Sequence, residues 1–341
     1  MVEKVNREIR LRDRPVGVPS ESDFELAKVP LGEPRKGEML VRNIYLSVDP
    51  YMRGRMVVRK SYVPPFQLNE PLSGACIGQV VVSKNGMLQV GDYVSGTQEW
   101  REYYLSDGTG LTKIDAKIAP IQTYLGVLGM PGMTAYIGLL DIGRPKAGET
   151  VFVSAAAGAV GAVVCQIAKI KGCRVVGSAG SREKVAWLMA EAGIDAAFNY
   201  KEARKLVTEL GKHCPKGIDI CFENVGGGHL EAALQLMNVF GRIVLCGMIS
   251  QYNATEPPPG PRNLAMVMIN RLMLKGFLVS DHSDRLPQFY ADMGQWITEG
   301  RIKWKETIIE GIENAPKAFI GLFKGENLGK MLVRIGPDST V

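Results

Sequence analysis

The sequence predicts an α/β protein in which a doubly wound parallel sheet is joined to a second, mostly-β domain. Three observations carry this expectation. From about residue 150 onward, apolar β-rich runs alternate with segments of helical period. The first of those runs bends through small residues directly into a helix, as the opening unit of such a sheet does. Residues 1 to about 125 instead show short β-like runs separated by Gly, Pro and Asp turns.

In chain order, the first region contains EMLVRNIYLSV, IGQVVVS and DYVSGTQEWREYYL, each a short strand candidate. TVFVS (150–154), CRVVGS (173–178), AAFNY (196–200), IDICFEN (218–224), GRIVLCG (241–247) and KGFLVS (275–280) follow, each reading as a buried strand. Between them SREKVAWLMAEAG and GGGHLEAALQLMNVFG have helical apolar spacing. Strand and helix alternating about six times is the pattern of a doubly wound sheet. After the last of these strands a helix is expected, then TIIEGIENAPKAFIGLFKG and KMLVRI, which could return to the first domain. EPPPGP at 256–261 is one stiff loop.

Composition excludes several classes of protein. With 46% hydrophobic and 22% charged positions, 341 residues can bury a substantial core in two domains. The net charge of +6 is spread along the chain, with no basic block that would track a nucleic acid. MVEKVNREIRLRDRP carries charge where a secretory signal needs an apolar region. The six cysteines contain no CxxC pair, so a reduced cytoplasm is the simplest expectation. His213, His229 and His282 share no ligand-like spacing, and each reads as a structural residue near a helix or strand end.

VFVSAAAGAVGAVVCQIAKIKG (151–172) is apolar enough to raise the question of a membrane span, which needs about 20 such residues in one helix. The small residues Ala155, Gly158 and Gly161 argue against it. A strand that turns on small residues into a helix presents backbone N–H groups and a positive dipole end, which suit a pyrophosphate. Where an NAD-type site places Asp or Glu, about 20 residues on, this chain has Gly180, Ser181, Arg182 and Lys184. Ser181 reads as an N-cap, so Arg182 and Lys184 fall in a first helical turn, where cations oppose the dipole. A ribose phosphate would compensate them, which makes the expected cofactor NADPH. Two solvated cations that tolerate the position are the alternative.

VSAAAGAVG, GSREK, NYK, FENVGG and CGMISQYN, with YLSVDPYMRGRM and GMPGMTAY upstream, resemble the medium-chain dehydrogenase/reductase superfamily. Within it they are most similar to the zinc-independent branch of NADP-dependent alkenal double bond reductases, which includes the prostaglandin reductases. The resemblance covers essentially the whole chain. It implies a Rossmann NADP-binding domain (126–299) and a discontinuous GroES-like catalytic domain (1–125 and 300–341). It implies a pyrophosphate at Gly158, Ala159, Val160 and Gly161, and a ribose phosphate at Lys184 and Tyr200. The remaining cofactor path would run along Asn224, then Cys246, Gly247, Met248, Ile249, Ser250, Gln251 and Tyr252, then Phe277, Leu278 and Val279, and Asn327. A cytoplasmic homodimer is usual in this branch.

No metal is expected. The superfamily's alcohol dehydrogenases bind zinc through first-domain ligands, whereas here no histidine precedes residue 213 and Cys76 alone cannot build the site. Conjugated enones and alkenals can dispense with a Lewis acid. Hydride attack on the β-carbon puts charge on an enolate oxygen that hydrogen-bond donors stabilise. Tyr252, after the fifth sheet strand, is the leading donor candidate, acting directly or through the nicotinamide ribose. Tyr51, in VDPYMR, is the second, and packing is the alternative for both. Cys246 reads as packing beside a nucleotide. The function expected is enone or alkenal reduction on a small-molecule substrate, with no nucleic-acid or membrane partner. A quinone reductase, or a non-catalytic NADPH-binding redox sensor, is the alternative.

Overall fold

The structure, a computed structural model, describes residues 5–340. It forms two compact units. The first runs through Leu125 and takes back Glu306–Asn327 and the chain from Met331; the second comprises Gly126–Lys305 and Leu328–Lys330.

The first unit opens with an antiparallel ribbon of β1 (Val5–Leu11) and β2 (Phe24–Pro30). β3 (Met39–Ser47) follows, and its residues are almost all buried because it pairs with three neighbours within a seven-stranded sheet. The chain then makes the short helix α1 (Met52–Arg55). Its start is fixed by Asp49, whose side chain accepts the Ser47 hydroxyl and whose carbonyl accepts the Met52 N–H at 3.1 Å. β4 (Ser73–Ser83), β5 (Tyr93–Glu99), β6 (Tyr103–Ser106) and β7 (Thr112–Ile114) extend the sheet. β3 and β4 approach so closely that a Cβ on Gly78 would lie 2.5 Å from Val41 and 2.9 Å from the Arg42 carbonyl, which explains the glycine.

The second unit begins with α2 (Met130–Ile137), which continues as a π-helical turn over Gly138–Gly143. Then come β8 (Thr150–Val153), α3 (Gly161–Ile170), β9 (Arg174–Ala179), α4 (Arg182–Ala190), β10 (Ala196–Asn199), α5 (Leu206–His213), β11 (Ile218–Glu223), α6 (Gly227–Leu236), β12 (Met237–Leu245), α7 (Ala265–Ile269), β13 (Met273–Gly276) and α8 (Leu286–Thr298). The strand order is β10-β9-β8-β11-β12-β13, with every pairing parallel. This is the doubly wound sheet the sequence predicts, and its order reverses between β8 and β11. All four residues of β8 are buried, as a strand covered on both faces requires.

Two elements differ from expectation. MNVF of the expected helix 226–241 belongs to β12, because Met237 pairs with Ile218, and Phe240 takes a left-handed φ of 64° that a helix cannot hold. KGFLVS is not a buried strand. The sixth strand is Met273–Gly276, an exposed sheet edge, and Phe277 and Leu278 lie beyond it. Their apolar character serves packing instead. The Phe277 ring lies against Gly138, where a Cβ would sit 2.8 Å from it and 2.6 Å from Phe222.

The chain re-enters the first unit with β14 (Glu306–Glu310), α9 (Ala315–Lys324) and β15 (Lys330–Arg334), the last pairing with β3. α9 sets the fully buried Phe319 edge-on to Phe24 at 6.3 Å and to Trp100 at 6.4 Å. Burial of such a ring contributes about 1.5–3 kcal/mol, so the returning segment is part of this unit's core.

Candidate functional site

The bend after β8 lies where the strand order reverses. Ala155 takes a left-handed φ of 48°, the Ala156 N–H donates to the Ser178 carbonyl at 2.9 Å, and the Gly158 N–H closes a turn on the Ala155 carbonyl at 3.0 Å. The chain then folds back so tightly that a Cβ on Gly161 would lie 2.5 Å from the Ala155 carbonyl oxygen. Gly161 starts α3, whose residues are buried through Ala168, with Lys169 in its last turn. As at any helix start, the first-turn N–H groups around Ala159, Val160 and Gly161 have no intrahelical acceptor and carry the positive end of the dipole. The Gly329 N–H donates to the Ala157 carbonyl at 2.8 Å and so braces this bend. Asn327 belongs to the first unit.

At the end of β9, Ser181 caps α4 by accepting the Lys184 N–H at 3.3 Å. The Lys184 side chain is half-buried, and burial first, then the neighbouring Lys201 charge, pushes its pKa below the usual lysine range. Arg182 differs: its side chain is exposed and paired with Glu202 at 2.9 Å. Gly180 occupies the position where an NAD-type site carries an acid. A Cβ there would meet the Tyr200 hydroxyl and the Lys201 Cε, each at 3.3 Å. Tyr200 begins the turn after β10, and its ring stands edge-on to His229 at 4.9 Å. Lys201 and His229 are absent from the sequence-derived candidates. Lys201 was visible in NYK, while His229 gave no local signal.

The loops after β11 and β12 are laced together by Glu223, which is fully buried. Its Oε1 accepts the Ser154 hydroxyl at 2.7 Å and the N–H groups of Val225 at 2.7 Å and Gly226 at 2.8 Å. Its carbonyl accepts the N–H groups of Cys246 and Gly247 at 2.9 and 3.1 Å. Burial pushes the Glu223 carboxyl above the usual range, opposed by those donors. Asn224 donates its side-chain amide to the Ser154 carbonyl at 2.7 Å. Ile249 and Ser250 donate back to the carbonyls of Asn224 and Val225. The loop from Cys246 to Tyr252 therefore curls over itself, and the Tyr252 hydroxyl accepts the Met248 N–H at 3.3 Å. The Cys246 thiol is pushed up to about 12 by burial, which leaves it unreactive. Leu278 precedes, and Val279 opens, the turn Val279–Arg285. A pocket of about 260 Å³ lies between Met248, Gln251, Leu230 and Pro258–Pro261.

Tyr51 stands in the first unit, at the N-cap of α1 against the buried core. Burial, then the Asp49 charge, pushes its phenol pKa up, and nearby Arg55 opposes this. Arg55 stacks on Phe66 at 3.9 Å and donates to Ser73 Oγ at 3.1 Å. Among the described residues no three His, Cys, Asp or Glu side chains are grouped to hold a metal. Cys76 lies buried in β4, its thiol pushed up to about 12. His213 ends α5 stacked on Phe198, and His282 lies in the turn after β13.

Two family models match the chain, one described as the N-terminal domain of oxidoreductase over residues 7–114 and one as zinc-binding dehydrogenase over residues 159–297. The NADPH-dependent curcumin reductase of Escherichia coli is 46% identical, over 98% of this chain and 98% of its own. The NADP(+)-dependent 2-alkenal reductase of Nicotiana tabacum is 45% identical, over 99% of this chain and 100% of its own. The crystal structure of CurA from Vibrio vulnificus in complex with NADPH superposes with a TM-score of 0.93 at 45% identity, covering 97% of this chain and 100% of that one. With this fold and these relatives, the chain belongs to the zinc-independent, NADP-dependent alkenal and prostaglandin reductase branch of the medium-chain dehydrogenase/reductase superfamily.

Proposed function

We propose that the chain is an NADPH-dependent reductase of the carbon–carbon double bond in α,β-unsaturated ketones and aldehydes. The observation that carries the reading is the end of β9. Gly180 stands where an acid would repel a phosphate, Tyr200 and Lys201 pack against it with a hydroxyl and an ammonium-bearing chain, and Lys184 lies close enough to Lys201 to feel its charge. Residues Gly158–Gly161, with the α3 dipole, suit the pyrophosphate. Asn224, the loop Cys246–Tyr252, Phe277–Val279 and Asn327 would line the rest of the path. Bound NADPH supplies the hydride.

The chain's own residues do the remaining work. As the β-carbon is reduced, the electron pair of the double bond moves toward the carbonyl oxygen, and a hydroxyl placed there stabilises the enolate. Tyr252, fixed by the Met248 N–H, is the donor we assign, with Tyr51 shaping the substrate pocket. The enolate then takes a proton at the α-carbon, giving the saturated carbonyl compound. No side chain in this sequence needs to ligate a metal for these steps.

We also infer a cytoplasmic homodimer. No described helix is long and apolar enough to cross a membrane, and all six cysteines are free thiols. The exposed edge β13 is accompanied by exposed Phe240, Met268 and Ile269, an apolar surface that a second copy would cover. The function is tested by following NADPH oxidation with alkenals, aryl enones and small quinones, with and without chelator. Enone turnover untouched by chelator supports the reading. A wide preference for quinones, a chelator-sensitive rate, or no oxidation of bound NADPH would overturn it. Light scattering in solution tests the dimer, and a monomeric mass would exclude it.

A further inference from the structure

Three features near the end of β9 have been given no direct contact to the coenzyme so far. The Lys201 side chain makes no ion pair among the described residues, while Arg182 beside it is committed to Glu202. Its Cε lies 3.3 Å from where a Cβ on Gly180 would stand, next to the Tyr200 hydroxyl. The turn that presents it is fixed, because Asn199 Oδ1 accepts the Lys201 N–H at 3.1 Å and Asn199 donates its amide to Glu202 at 3.0 Å. His229 is the third feature. Its side chain is more than nine-tenths buried, its Nε2 has no hydrogen-bond partner, and its ring meets Tyr200 edge-on at 78°.

We propose that Lys201 is a direct ligand of the coenzyme's ribose phosphate, forming a two-ammonium clamp with Lys184, and that His229 is a positioning residue that holds Tyr200 within it. This rests on the NADPH reading above and deepens it. Lys184 feels the like charge of Lys201 and the opposing charge of Glu183, and an arriving dianion relieves the repulsion between the two ammonium groups. Tyr200 follows β10, and its ring is met from the α6 side. His229, in the first turn of α6, is the group that meets it. The same packing favours glycine at 180, because a Cβ there would require Tyr200 and Lys201, each 3.3 Å from it, to shift by a few tenths of an ångström.

Binding of NADPH, NADH, adenosine 2′,5′-bisphosphate and AMP is measured by calorimetry on the full chain and on Lys201→Ala, Lys201→Arg, His229→Leu and His229→Phe. Wild type should prefer the phosphorylated member of each pair. Lys201→Ala should weaken NADPH and the bisphosphate about tenfold, the loss of one partly exposed charge-assisted hydrogen bond, and NADH and AMP less than twofold. Arginine at 201 should retain the preference. His229→Leu should lower the NADPH:NADH ratio and His229→Phe, which keeps an aromatic edge against Tyr200, should restore it. Equal loss for both coenzymes, or no loss in Lys201→Ala, overturns the clamp while leaving the NADPH reading intact. A wild type without preference for the 2′-phosphate overturns both.

Discussion

Glu223 is the buried group on which the geometry of the coenzyme loops depends, and replacing it gives a sharp test. In Glu223→Leu the Val225 and Gly226 N–H groups, held at 2.7 and 2.8 Å, lose their acceptor inside a fully buried site. The Ser154 hydroxyl can rotate, so these two fixed donors decide the outcome. Each unmade buried hydrogen bond costs about 1–3 kcal/mol, which sums to about 2–6 kcal/mol, a large part of the stability of an ordinary domain. Glu223→Gln keeps an acceptor at Oε1 and turns its amide toward Cys221, whose Sγ stands 3.7 Å from Oε2, so its loss should stay within about 1 kcal/mol. Urea unfolding followed by tryptophan fluorescence, read as the shift of the midpoint at constant slope, measures both. NADPH affinity should fall with the leucine and survive the glutamine. A leucine variant within about 1 kcal/mol of wild type would show that the loops hold without this carboxyl.

Three further outcomes follow from the same geometry. Tyr252→Phe should lower enone turnover about 100-fold or more, the size of one lost donor to a developing oxyanion, with little change in melting temperature; unchanged turnover would remove Tyr252 from the chemistry. Gly161→Ala places a methyl group 2.5 Å from the Ala155 carbonyl, so it should destabilise the second unit by about 1–3 kcal/mol and weaken NADPH binding, and wild-type calorimetry would contradict the bend. Burial pushes the His229 pKa down to about 4, well below its unfolded value near 6.5. The unfolded chain therefore binds the extra proton, and stability present above about pH 6.5 is lost as pH falls toward 4, by up to about 3 kcal/mol. His229→Phe should flatten the melting temperature over that window, and an equally steep profile would refute the assignment.

The parallel sheet was legible because its strands are apolar runs punctuated by glycine, and the Gly158–Gly161 bend because only small residues survive so tight a turn. MNVF was not, since Met237 and Phe240 continue the apolar spacing of α6 while their backbone pairs with β11. KGFLVS was misplaced because Phe277 is apolar for the sake of Gly138 and Phe222, residues more than 50 positions upstream, and not for a strand. Ser181 announced its capping role through its own neighbours. Glu223 could not, because Ser154 lies 69 residues away and the two meet only through the order of β8 and β11. His229 and Tyr200 meet in the same way, across β10 and α6. Local chemistry could be read from the chain, whereas groups assembled by sheet order required the fold.

The central claim, hydride delivery to the β-carbon of a conjugated carbonyl compound, is tested most directly by tracing the hydrogen. An aryl enone is reduced with NADPH deuterated at both hydrogens of nicotinamide C4, and the product is examined by NMR. Deuterium at the β-carbon of a saturated ketone is the predicted result. Deuterium on a carbinol carbon with the double bond retained, or on neither, would contradict the account.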